Sequence, residues 1–197
     1  MKVIGLCGQS GSGKGMVCSF FSELNISCID LDKVYHDIIS TNSDCTMELA
    51  EAFGSSVLGS PGINRKALRE IVFRSEDSLG KLNEITHKHL LTELRREIER
   101  IKTVNIADGI IVDAPLLFES GIDRECDASI AVISDAVVKL LRITERDCIT
   151  REQALLRLNS QKTEQDLIDK CDYVIENNSS TEHLRQKVQE LKKIIFN

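Results

Sequence analysis

The apolar run Val3-Ile4-Gly5-Leu6-Cys7 passes directly into Gly8-Gln9-Ser10-Gly11-Ser12-Gly13-Lys14-Gly15, and an apolar-rich stretch, Met16-Val17-Cys18-Ser19-Phe20-Phe21, follows. This succession predicts a strand, a glycine-rich turn and a helix, the setting that a G-x-x-x-x-G-K-[ST] phosphate-binding loop requires. In such a loop the glycines let consecutive backbone N–H groups curl around phosphate oxygens. Lys14 adds a mobile positive charge, and the helix starting beside it presents its positive dipole end. A Gly/Ser-rich connector would explain the composition alone, but the flanking strand and helix favour the phosphate loop. The expected ligand is a nucleoside triphosphate, held by Gln9, Ser10, Gly11, Ser12, Gly13, Lys14 and Gly15. Gly15 departs from the pattern, because it stands where a Ser or Thr hydroxyl ordinarily holds Mg²⁺. How the metal is held is left open by the motif.

Five short apolar runs read as strands: Lys2–Cys7, Ile26–Asp30, Gly109–Asp113, Ala128–Ile133 and Tyr173–Ile175. Continuous apolar strands alternating with helical periodicity predict an α/β doubly wound fold, a five-stranded parallel sheet with helices on both faces. Thr150-Arg151-Glu152-Gln153 fits a capping box that opens a helix. Nearly eighty residues separate Asp30 from Gly109, far more than a crossover helix and its loops need. That stretch has helical patterns over Arg65–Phe73 and Leu79–Ile101, with Asn42–Cys45 and Ser55–Asn64 as turn-rich breaks. It reads as a helical insertion, about residues 33–106, in a nucleotide-binding core of about 1–32 and 107–197. Ligands of open α/β sheets bind outside the carboxyl edge, so an insertion there would hold a second substrate; packing on the sheet is the alternative.

The net charge is −6 over 197 residues, with 28% charged and 42% apolar residues. Such an acidic balance implies no broad basic face and argues against a general nucleic-acid binder. The seven cysteines are odd in number and include no C-x-x-C pair, which argues against zinc or redox motifs and for thiols in a reducing cytosol. No segment approaches the ~18 apolar residues of a membrane span, and no signal-peptide pattern is present. A cytoplasmic protein, with a monomer favoured, is expected.

Topology also delivers acids to the phosphate edge: Asp30 closes the second strand, Asp32 follows it, and Asp113 closes the third. A positioned carboxylate takes the proton of a hydroxyl attacking a γ-phosphate, and Mg²⁺ needs oxygen ligands or ligands to its waters. The alternative is helix capping, which Asp32, before Lys33-Val34-Tyr35, suits. Arg142 and Arg146 are four apart on one helix face and could clamp a triphosphate; on spacing alone, a solvated face with Glu145 and Asp147 as their ion-pair partners is favoured. His36, His87 and His89 lack metal-site spacing, and His87 and His89 would point to different helix faces.

In combination these residues resemble the dephospho-CoA kinase family. The N-terminal P-loop, Ile29-Asp30-Leu31-Asp32, Arg65-Lys66-Ala67-Leu68, Leu82-Asn83-Glu84-Ile85-Thr86-His87 and Asp113-Ala114-Pro115-Leu116-Leu117-Phe118-Glu119 stand in that family's order. So do Arg142-x-x-x-Arg146-Asp147, Arg157-Leu158-x-x-Gln161 and Asp172-Tyr173-Val174-Ile175-x-Asn177. The resemblance implies phosphorylation of the ribose 3′-hydroxyl of dephospho-CoA by ATP, on a fold like that of nucleoside monophosphate kinases, with a mobile lid at about 142–165. It makes Asp32 the base, places Lys14 on the β- and γ-phosphates, Arg142 on phosphate from the lid side, and Asn177 near the adenine. Leu116, Leu117 and Glu119, together with His87 and other parts of the insertion, would meet dephospho-CoA. The family usually has Ser or Thr at Gly15 and Pro at Lys88. Adenylate kinases also carry Gly after the P-loop lysine, followed by Thr, where this chain has Met16. Mg²⁺ would then be held mainly by ATP oxygens and waters, with Asp32 and Asp113 acting through water. The rivals are another nucleoside or nucleotide kinase and a non-catalytic nucleotide-binding relative; a GTPase would show an N-K-x-D sequence, and none is present.

Overall fold

The computed structural model describes residues 1–41, 43–73 and 75–196. By its internal contacts the chain forms two compact units, Met1–Ile29 with Ile101–Asn197, and Asp30–Arg100.

The first unit is built on a parallel sheet of five strands in the order β2-β3-β1-β4-β5. Its strands are β1 (Lys2–Cys7), β2 (Ile26–Asp30), β3 (Gly109–Asp113), β4 (Ala128–Ile133) and β5 (Tyr173–Glu176). All five lie where the apolar runs predict, with β5 one residue longer. β1 is central: Leu6 stands opposite Asp113 of β3 on one side and Ile130 of β4 on the other. A central strand is covered on both faces, and Ile4, Leu6 and Cys7 have no exposed surface, which is why β1 reads as a continuous apolar run.

Helix α1 (Lys14–Glu23) and the C-terminal helix α9 (Thr181–Phe196) share a core with the sheet. Val17, Phe20 and Phe21 of α1 meet Leu184, Val188 and Ile195 of α9 in that cluster, with Ile4, Ile111 and Val132 beneath. Helices α6 (Ala136–Asp147), α7 (Arg151–Asn159) and α8 (Glu164–Ile168) come between β4 and β5. Leu140 and Ile143 of α6 pack with Ala154 and Leu158 of α7 in a separate small core. The predicted capping box is present: the Thr150 hydroxyl accepts from Gln153 N, and the Gln153 side chain accepts from Thr150 N.

The second unit is helical: α2 (Leu31–Thr41), α3 (Ser43–Phe53), α4 (Arg65–Val72) and most of α5 (Glu76–Val104). Helix α5 runs well beyond the predicted Leu79–Ile101, and Leu90, Leu94, Ile98 and Ile101 make one buried stripe along it. The break expected over Asn42–Cys45 is corrected in part. Asn42 lies outside the described residues, and Ser43 already opens α3 with Asp44 in its first turn, where a carboxylate favours the helix dipole. The break over 55–64 holds only a three-residue helical turn and an isolated bridge between Leu58 and Ile63.

A candidate phosphate-transfer site

The loop between β1 and α1 has the backbone that its glycines predict. Gly8, Gly11 and Gly13 all have positive φ, and at Gly13 (φ 98) an added Cβ would collide with the Asn177 amide. Helix α1 starts at Lys14 with no side-chain cap on Gly13, and Met16 N turns back to Gly13 O at 3.0 Å. The N–H groups of Gly13, Lys14 and Gly15 therefore have no acceptor in a preceding turn and remain for an anion. The Lys14 ammonium donates to Gly8 O at 3.0 Å, so the charge is held at the first carbonyl of the loop.

Two residues brace this loop from outside. Arg142, on α6, donates from Nη1 to Gly11 O at 3.1 Å and to Ser12 O at 3.4 Å, and from Nη2 to Asn177 O at 3.2 Å. Asn177 is buried just beyond β5 and donates from Nδ2 to Ser12 O at 2.8 Å. The Asn177 side-chain amide is thus bonded inside the protein. Arg142 belongs to α6 and is bonded to the loop's own carbonyls. The cause is the same for both: a left-handed glycine loop turns some carbonyls outward as it turns amides inward, and those carbonyls need donors.

The leading edge of the loop is also occupied. Gln9 accepts from Lys139 Nζ at 2.5 Å and donates to Lys162 O at 2.7 Å, and Ser10 N donates to Gln161 Oε1 at 2.9 Å. The Gln9 side chain is thus a link to the rest of the unit. Sequence reasoning gave Lys139 no role. Its signal was a lysine beside Leu140 and four residues before Ile143, on the buried face of α6.

Asp113 ends β3 on the strand next to β1, and Cys18 Sγ of α1 lies 3.9 Å from its Oδ2. The Cys28 contact, burial and the Asp113 charge all push the Cys18 thiol's pKa up, which keeps it protonated there. Asp30 caps α2, with Oδ1 accepting from Lys33 N at 3.0 Å. The capping role weighed as the alternative for Asp32 belongs to Asp30, and Asp32 is an exposed carboxylate in the first turn of α2.

In the segment after β3, Leu116 is exposed, whereas Leu117 has no exposed surface and packs against Gly5, where even a Cβ would lie 2.8 Å from its methyl groups. The expectation that Leu117 meets substrate is corrected: a central strand needs a cover, and Leu117 supplies it. Glu119 pairs with Lys162 at 3.0 Å. Arg146 pairs with Asp147 at 2.8 Å rather than joining Arg142. In the helical unit His87 is half-buried, and burial holds its pKa below the usual value. Its neighbour His89 instead faces Glu48 at 3.4 Å, so the two point apart as predicted. Among the described residues no group of three or more His, Cys, Asp or Glu side chains is arranged to hold a metal.

A family model described as dephospho-CoA kinase matches residues 2–183. The chain belongs to the dephospho-CoA kinase family. A dephospho-CoA kinase of Fusobacterium nucleatum is 43% identical over 188 residues, covering 95% of each chain. One from Listeria innocua is 34% identical, covering 95% of this chain and 94% of the relative. The solved structure of the dephospho-CoA kinase of Campylobacter jejuni superposes with a TM-score of 0.72 at 26% identity, covering 98% of this chain and 96% of that one. Gly15 and Lys88 both have clear surroundings here. An added Cβ at Gly15 would meet nothing within 4 Å, and Lys88 pairs with Glu48 at 2.7 Å.

Proposed function

We propose that this chain transfers the γ-phosphoryl group of ATP to the ribose 3′-hydroxyl of dephospho-CoA, giving coenzyme A and ADP in the last step of CoA biosynthesis. The family match over nearly the whole chain carries this reading, and the braced, amide-lined loop is its physical counterpart. Lys14 and the N–H groups of residues 13–15 hold the β- and γ-phosphates and neutralise the charge that builds on the transferred group. Arg142 and Asn177 act through the loop, by fixing the carbonyls that face away from the nucleotide.

Asp32 is the proposed base. An exposed carboxylate on a helix's first turn accepts the acceptor hydroxyl's proton as the oxygen attacks phosphorus in line with the departing ADP oxygen. The helical unit holds dephospho-CoA, with Leu116, Glu119 and His87 among its contacts, His87 acting as a neutral imidazole. The donor set fits a nucleotide-borne metal, because Gly15 brings no hydroxyl while Asp113 brings a carboxylate at the sheet edge. Mg²⁺ would reach Asp113 and Asp32 through water, and when bound it shields the phosphate oxygens. We place it as a monomer in the cytoplasm; no helix among the described residues is long and apolar enough to cross a membrane.

The test is incubation with ATP, Mg²⁺ and each of dephospho-CoA, AMP, UMP and uridine, with products identified by mass. Phosphorylated dephospho-CoA alone is expected; no product from it would refute the proposal. Asp32→Asn should lower turnover by ~10²–10⁴ while ATP still binds, and an unchanged rate would remove Asp32 from the role of base.

A further inference from the structure

Lys139 is an unusual residue to find inside α6, because its side chain is almost fully buried, at 4% exposure. Burying an ammonium is costly unless oxygens replace its water. It has two: Gln9 Oε1 at 2.5 Å and Glu164 Oε1 at 2.7 Å. Glu164 is itself fixed, since the same oxygen accepts from Ser134 N at 3.0 Å. Gln9 is the second residue of the phosphate loop, and its other amide end donates to Lys162 O at 2.7 Å. One step along, Ser10 N donates to Gln161 Oε1, and Gln161 Nε2 lies 3.4 Å from Ser10 Oγ. The leading edge of the loop is therefore clasped on one side by a buried cation and on the other by Gln161 and Lys162, which lie between α7 and α8.

We propose that Lys139 is a positioning residue for nucleotide binding: it sets the leading edge of the phosphate loop through Gln9, with Glu164 as its counter-charge and Gln161 as a second clasp. The proposal rests on the reading that ATP binds this loop, and it assigns a positioning task to Lys139, Glu164 and Gln161. Without the ammonium, Gln9 Oε1 and Glu164 lose a shared donor, and the loop's first turn is no longer fixed before ATP arrives. The ordering then has to accompany binding, which weakens affinity for ATP and leaves the phosphoryl-transfer step alone. Because Gln161 stands just past Ser160, the C-cap of α7, the clasp also joins the loop to the end of that helix.

The experiment is to compare Lys139→Met, which keeps length but loses charge, with Lys139→Arg, which keeps donors, in the full chain. The dissociation constant for ATP, measured without acceptor, should rise by ~10-fold in Lys139→Met and by less than ~3-fold in Lys139→Arg. The kcat of Lys139→Met at saturating ATP should stay within ~3-fold, and KM for dephospho-CoA should not move. A purely structural lysine would lower the thermal midpoint without shifting ATP affinity, and that result would overturn the proposal. Should Lys139→Met fail to fold, Gln161→Ala decides: a ~3-fold weaker ATP affinity with unchanged kcat supports the clasp, and unchanged affinity refutes it. Since ATP binding is read alone, a wrong assignment of the acceptor would leave these outcomes intact.

Discussion

The side-chain amide of Asn177 donates to the main-chain carbonyl of Ser12 across 2.8 Å, joining residues 165 positions apart in the sequence. The bond is buried, and Arg142 holds the Asn177 carbonyl from the other side. Removing a buried donor leaves its acceptor unsatisfied, at a cost of about 1–3 kcal/mol. Asn177→Ala should lower unfolding free energy by that amount in urea and weaken ATP binding by calorimetry. Wild-type ATP affinity in the variant would mean that the brace does not shape the loop.

Gly13 and Gly15 stand two residues apart and should respond oppositely to a methyl group. Gly13 has φ 98 and faces the Asn177 amide, whereas Gly15 has open space around its missing Cβ. A strained backbone costs of order 1–3 kcal/mol, so Gly13→Ala should lose ~5- to 100-fold in ATP affinity. Gly15→Ala should stay within ~3-fold by the same titration. Gly15→Thr should leave turnover within ~10-fold across a Mg²⁺ series; a larger gain would mean that the natural chain holds its metal poorly.

Leu116 and Leu117 are neighbours with separate tasks. Leu117 is fully buried and Leu116 is 59% exposed. Leu117→Ala should cost about 2–5 kcal/mol of stability by cavity formation. Leu116→Ala should leave the melting temperature nearly unchanged and raise KM for dephospho-CoA. Thermal melts with steady-state kinetics separate them, and equal melting losses would contradict the assignment.

Asp147 accepts hydrogen bonds from Arg146 and from Arg157 of α7. Arg146 first, then Arg157, hold its pKa at about 2 in the folded protein. An unperturbed aspartate titrates at ~3.9, so the contribution of this cluster is fully present above that pH. It disappears as pH falls through about 2, because the unfolded chain takes up its proton first. An NMR titration of the Asp147 carboxyl should follow this course, and a midpoint near ~4 would show the cluster open in solution.

The sequence by itself determined the strands, their parallel arrangement and the phosphate loop. These follow from local rules: apolar runs of strand length, glycines where the backbone must turn left-handed, and a helix start beside Lys14. It also marked Asp113 and Asp32 as chain positions for acids, since a strand end or helix start is a local property. Only the tertiary structure decided what each side chain does. Asn177, Lys139 and Gln161 meet the loop from more than a hundred residues away, and no spacing rule reaches that far. Leu117 became core because Gly5 leaves room for it on a central strand. Asp30, not Asp32, caps α2 because its carboxylate reaches Lys33 N. A turn of backbone is specified by the residues in it, whereas the donors for its outward carbonyls come from whichever elements the fold packs against them.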